Sequence, residues 1–129
     1  MKFKGLTIGI PKEIMKGERR VAAIPDTVRK MVTEGATVLI EKGAGLGSYF
    51  SDEDYEEAGA TLISDVEALF GESDIILKVK EPLFSEDKGK HEVEMMKPGQ
   101  HLICFLHPAA PSNHRMVKDL ARLGIKSLT

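Results

Sequence analysis

Six apolar runs of strand length recur along the chain, with helical patterns between most of them. They are "LTIGI" (residues 6–10), "TVLI" (37–40), "ATLI" (60–63), "DIILKV" (74–79), "HLICFL" (101–106) and "GIKSL" (124–128). Strands that alternate with helices are joined by crossovers, and crossovers give parallel pairing. Several runs are apolar without strict alternation, the pattern of strands covered on both faces. The fold expected is α/β: a doubly wound, mostly parallel sheet with helices on both faces, Rossmann-like or flavodoxin-like. At 129 residues the chain is the size of one domain.

The helix signals are local. Residues 26–34 place Val28, Met31 and Val32 on one face, with Asp26 as the expected cap and Gly35 as the stop. Ser51 opens "SDEDYEEAG", acidic in its first turn and closed by Gly59. Ser64 and Glu67 are spaced as a capping box ahead of "ALFG". A helix is expected from Ser112 to a stop at Gly124, and a shorter one around residues 91–97. The connection 82–99 is the most polar and reads as a surface excursion.

Composition excludes several roles. A net charge of −2 argues against a broad basic face for nucleic acid. The single cysteine, Cys104, lies in "LICFL" and reads as a small core side chain. It permits no internal disulfide, which fits a reducing, cytoplasmic setting. No apolar run approaches the ~20 residues that span a bilayer, and the N-terminus lacks signal-peptide features. No histidine pair or cysteine cluster has metal-ligand spacing, so no metal is expected. "IKSLT" ends on a strand-like run without a polar tail. That ending reads as a truncated piece of a longer protein, an incomplete domain.

"EKGAGLGSYF" (41–50) follows a strand and carries three glycines. A dinucleotide fingerprint, G-x-G-x-x-G, opens a helix directly. Counted from Gly43, its third glycine falls on Ser48, and the next helix signal waits until Ser51. The loop therefore reads as a tight turn that shapes the rim of a cleft.

Ligands of open α/β sheets bind beyond the carboxyl ends of the strands. "PKEIMKGERRVA" follows the first strand, Lys80 and Glu81 follow the fourth run, and His107 follows "HLICFL". A guanidinium, an ammonium and an imidazole thus meet at one sheet edge. Arginine can grip a carboxylate through two parallel hydrogen bonds. Lysine supplies a point charge near a carbonyl oxygen, and histidine exchanges a proton near neutral pH. The set suits a small anionic substrate with a carbonyl group.

"IGIPKE", "GERRVAAIP", "VLIEKGAGLGS", "FSDEDYEEAGA", "DIILKVKEP" and "FLHPAA" occur in this order. Together they resemble the N-terminal region shared by alanine dehydrogenases and the alpha subunits of proton-translocating nicotinamide nucleotide transhydrogenases. The resemblance covers nearly the whole chain, with residues 83–98 longer than the family pattern. It implies that residues 1–129 form an N-terminal, substrate-side domain, with the nucleotide-binding domain absent from this chain. It implies that Arg20 and Lys80 bind the carboxylate and carbonyl of pyruvate, with His107 as the acid–base group, so that His107 and Lys80 are the catalytic residues. The cofactor implied is NAD or NADP, held mainly by the absent domain. The reaction implied is oxidation of L-alanine to pyruvate and ammonium, in a homo-oligomer. "ERRVAAIPDTV" and the tail from "APSNHR" look more like the transhydrogenase branch, which implies hydride exchange between NADH and NADP with a beta-subunit partner. That branch typically lacks the second lysine of "KVKEP" and the histidine of "FLH"; this chain has both. A free-standing, non-catalytic ligand-binding domain is the remaining alternative.

Overall fold

A computed structural model describes residues 1–129. The strands are β1 (Thr7–Ile10), β2 (Thr37–Glu41), β3 (Thr61–Ile63), β4 (Ile75–Lys80), β5 (Phe84–Ser85), β6 (Lys90–His91), β7 (His101–Phe105) and β8 (Lys126–Leu128). The helices are α1 (Pro25–Thr33), α2 (Asp52–Glu57), α3 (Val66–Glu72), α4 (Glu92–Met95) and α5 (His114–Leu123). Six strands form one sheet in the order β3-β2-β1-β4-β7-β8. Every neighbouring pair in it is parallel. This is the doubly wound arrangement expected, and its strand order reverses between β1 and β4, the place where such sheets bind ligands.

The sheet separates two apolar cores. On one side Ile8, Ile10, Val38 and Ile40 pack with Val28 of α1 and Tyr55 of α2. On the other, Leu39, Ile76, Leu102 and Cys104 pack with α3, α4 and α5. The alternation of Val38, Leu39 and Ile40 between cores explains why the run is apolar throughout. Gly9 on β1 faces α3: a Cβ there would lie 2.1 Å from Ser73 Oγ and 2.9 Å from Leu69 Cδ2. Only a residue without a side chain lets α3 approach the strand this closely. Burial pushes the Cys104 thiol up to about 12, so it stays a neutral core group.

Several expectations need correction. Helix α1 begins at Pro25 with Ile24 before it, and Asp26 caps nothing; it pairs with Arg29 at 3.1 Å. Proline at the first helical position has no N–H and a fixed φ, so it sets the start by itself. Asp65, not Ser64, caps α3 by accepting from Glu67 N at 3.0 Å. The expected box does not form, since with Asp65 as cap the third helical residue is Ala68, which has no side-chain acceptor. Ser112 lies in a short 3₁₀ turn, Pro111–Asn113, and α5 starts at His114. Ser51 does form a capping box, with Asp54 as the reciprocal acceptor.

The connection 82–99 is more than a surface excursion. It folds into the antiparallel β5–β6 hairpin and α4, which buries Val93, Met95 and Met96 against the sheet. Coverage of both faces also fails at one side of the sheet. Ile103 and Phe105 of β7 are 40% and 58% exposed, and β8 is exposed throughout, because neither α1 nor α2 reaches that far.

Candidate functional site

The first cleft lies past the ends of β1 and β2, a cavity of about 210 Å³ walled in part by Lys12, Glu18, Arg20, Gly43 and Gly47. Arg20 projects from the loop after β1. Its Nε and Nη2 each donate to Glu18 at 2.9 Å, a two-pronged pair that fixes the guanidinium plane. The Glu18 carboxylate is nearly buried while the Arg20 side chain is largely open to solvent. Hydrogen bonds from the Arg20 side chain, then from its backbone N–H, hold the Glu18 carboxyl down at about 2, and the Lys80 charge adds to this. Lys80 and Arg20 therefore lie within electrostatic reach of one carboxylate.

The glycine loop buttresses the Arg20 segment. A Cβ on Gly47 would lie 2.8 Å from the Arg19 carbonyl oxygen, and Ser48 Oγ donates to that oxygen at 2.7 Å. A Cβ on Gly45 would meet the Tyr55 ring at 2.5 Å. Both close approaches are filled by protein, and the loop runs into a 3₁₀ turn ending at Tyr49 rather than a helix N-terminus. The loop therefore has neither the open backbone nor the helix that a dinucleotide phosphate needs. It forms a wall of the cleft.

His107 stands one strand over. Lys80 is the register partner of Phe105, so His107 follows two residues beyond that partner. Its backbone has φ 51, left-handed for a residue with a Cβ. Buried Asn113 holds this turn by donating from Nδ2 to the His107 carbonyl at 3.1 Å. The Nδ1 atom lies 3.1 Å from Glu81 Oε2, and Glu81 is nearly buried while the ring is half exposed. With Nδ1 donating to the carboxylate, Nε2 is left without a hydrogen-bond partner in the fold.

The fold thus brings Arg20, Lys80 and His107 to one edge of the sheet. Sequence reasoning assigned no roles to three carboxylates there, Glu13, Glu18 and Glu81. Glu18 and Glu81 were findable, since each lies within two residues of a candidate cation. Glu13 works across the sheet, and only the fold shows its partners.

The Glu18–Arg20 pair predicts a pH response. A carboxyl depressed on folding contributes stability above its ordinary range, and that contribution fades as pH falls toward about 2. A carbon-detected NMR titration of Glu18 is expected to show it still ionised at pH 4. A midpoint in the ordinary carboxylate range would mean the pair does not form.

The fold has a counterpart among known proteins. A family model described as alanine dehydrogenase/PNT, N-terminal domain, matches residues 9–129. The chain belongs to that family. It is 46% identical over 104 residues to the alanine dehydrogenase of Methanococcus maripaludis, covering 81% of this chain and 26% of that protein. It is 38% identical over 120 residues to an NAD(P) transhydrogenase alpha subunit of Rhodospirillum rubrum, covering 93% of this chain and 30% of that one. A solved L-alanine dehydrogenase structure superposes with a TM-score of 0.85 at 35% identity, covering 96% of this chain and 32% of that one. This member of the alanine dehydrogenase/PNT family therefore spans between a quarter and a third of the length of these relatives. None of its helices is long and apolar enough to cross a membrane.

Proposed function

We propose that the chain forms the substrate-side domain of an NAD-dependent alanine dehydrogenase. The reaction is L-alanine, water and NAD to pyruvate, ammonium, NADH and a proton. The observation that carries this reading is the position of Lys80 and His107 at the ends of adjacent strands, with the Lys80 charge acting on the carboxylate that pairs with Arg20. Arg20 grips the substrate carboxylate with the donors its pairing with Glu18 leaves free. Lys80 places its ammonium at the carbonyl oxygen. His107, steadied by Glu81, moves the proton at the reacting centre through Nε2. Glu18 fixes the Arg20 guanidinium and Glu81 the His107 ring, so these two groups are organised before substrate arrives.

The nicotinamide cofactor, which supplies the hydride chemistry when bound, is held by residues outside this chain. The glycine loop supports that division, since its close approaches are filled by Tyr55 and Arg19. A homo-oligomer in the cytoplasm completes the reading.

The second reading is the N-terminal region of a transhydrogenase alpha subunit, working with a beta subunit. It is supported by the R. rubrum relative, 38% identical over 120 residues. Lys80 and His107 together favour the dehydrogenase. The complete reading frame should be assayed for NADH oxidation dependent on pyruvate and ammonium. Robust turnover is expected. No turnover, together with hydride exchange between NADH and NADP in membranes, would replace the first reading with the second.

A further inference from the structure

We propose that Glu13 is a positioning residue for Lys80: its buried carboxylate pins a one-residue bulge in β4 that turns Lys80 to the sheet face carrying the Arg20 loop. This rests on the functional reading above for its kinetic consequence, and on geometry alone for its structural one.

The bulge is visible in the register. Leu77 pairs with Ile103 and Lys80 with Phe105, so β4 uses one more residue than β7 over the same step. In a regular strand Lys78 and Lys80 would share a face. The extra residue reverses that parity. Lys78 points into the α3–α4 side, where it is 1% exposed and contacts Glu92 of α4 at 3.4 Å. Lys80 pairs with Phe105, which lies on the same face of β7 as Ile103 and opposite Leu102 and Cys104. Lys80 therefore faces the side that carries the Arg20 loop, where its charge acts on Glu18.

Glu13 supplies what the bulge lacks. Strand β1 pairs with β4 only at Ile8–Ile75 and Gly9–Ile76, so it offers no carbonyls to the last residues of β4. The Glu13 carboxylate takes that place. Its Oε2 accepts from Val79 N at 2.8 Å and its Oε1 from Lys80 N at 3.1 Å. Two successive N–H groups pointing the same way is a backbone state a regular strand cannot hold. Oε1 also accepts from Lys78 Nζ at 3.2 Å, and the Glu13 side chain is 2% exposed. One carboxylate thus ties the loop after β1 to three successive residues of β4.

Glu92 is the natural control. It is equally buried and shares Lys78, yet its backbone contact is with Leu83 N at 3.0 Å, beyond Lys80. The test uses the complete protein with Glu13→Gln, Glu13→Asp, Glu92→Gln and Lys80→Ala. Glu13→Asp keeps the charge for Lys78 but is one methylene short of the strand-end N–H groups, so it answers the question even if Glu13→Gln does not fold. In Glu13→Asp, kcat/KM for pyruvate is expected to fall about tenfold to hundredfold, the scale of a small misplacement of a substrate-contacting group. The KM for NADH stays unchanged, and Glu92→Gln lowers the unfolding midpoint while keeping kcat/KM for pyruvate within about twofold. Hydrogen exchange at the Val79 and Lys80 amides is expected to quicken in Glu13→Asp and not in Glu92→Gln. Wild-type pyruvate kinetics and slow exchange in Glu13→Asp would overturn the proposal, as would equal kinetic losses in the Glu13 and Glu92 variants. If Lys80→Ala itself leaves turnover intact, the functional reading fails, and the exchange measurement alone then decides whether Glu13 pins the bulge.

Discussion

His107→Ala in the complete protein is expected to lower kcat for pyruvate amination by about 100- to 10,000-fold, the range for loss of a positioned acid–base group. Lys80→Ala is expected to lower it by about 100- to 1,000-fold, as when a preorganised charge is removed from a developing oxyanion. The two losses have different physical origins. His107 is held in a left-handed backbone posture by Asn113 and has one ring nitrogen committed to Glu81. That arrangement fixes which nitrogen can transfer the proton, and alanine removes the group entirely. Lys80 acts through charge, and its removal leaves Arg20 to hold the carboxylate alone. Both variants should keep their affinity for NADH. Steady-state NADH oxidation with saturating ammonium measures the effect. Near-normal rates in both variants would show that the edge carrying Lys80 and His107 is not the reacting edge.

The largest effect on stability is expected at Lys78. Its ammonium is 1% exposed and lies 3.2 Å from Glu13 and 3.4 Å from Glu92, both themselves 2% exposed. Lys78→Ala leaves two buried carboxylates without their cation. Breaking a buried pair from one side costs about 3–5 kcal/mol, most of it the penalty of the charges left behind. The loss should depend on pH. Burial already pushes the Glu92 carboxyl up, and the Lys78 charge works against that rise. Without Lys78 the folded-state carboxyl rises further above its unfolded value. The folded protein then binds the extra proton, so its stability falls as pH climbs through and beyond the ordinary carboxylate range. Urea unfolding should find the deficit larger at pH 8 than at pH 5. An equal deficit at both values would mean that the carboxylates find other partners.

What the sequence could show follows from the range of each interaction. The strands of the main sheet were legible because burial on both faces leaves a continuous apolar run, as at Val38, Leu39 and Ile40. Helix starts were legible to within a residue or two. Ser64 and Asp65 are both able caps, and backbone geometry at the turn chose between them. Pro25 made a side-chain cap unnecessary. The 82–99 segment misled because Val93, Met95 and Met96 sit among charges, so its buried face is hidden in a polar average. The convergence of Arg20, Lys80 and His107 on one sheet edge was legible from their places after strands. Glu18 and Glu81 could be inferred from adjacency to Arg20 and to Lys80. The tie from Glu13 to Val79 could not, because it joins residues 66 apart in the chain. The bulge was equally hidden: it is a property of pairing between β4 and β7, and neither strand carries a glycine or proline to mark it.

The place of β1 between β2 and β4 also governs how the chain assembles during synthesis. Strand β1 pairs with β2 through Thr7–Thr37 and with β4 through Ile8–Ile75. At translation rates of about 5–20 residues per second, several seconds pass between the emergence of β1 and that of its second neighbour. Throughout that interval β1 offers one unsatisfied row of N–H and C=O groups. The nascent polypeptide therefore exposes one edge of its future central strand before the second flank can close over it. Chaperones that hold extended apolar segments would meet this region early, and slowing translation before Ile75 should lengthen that encounter.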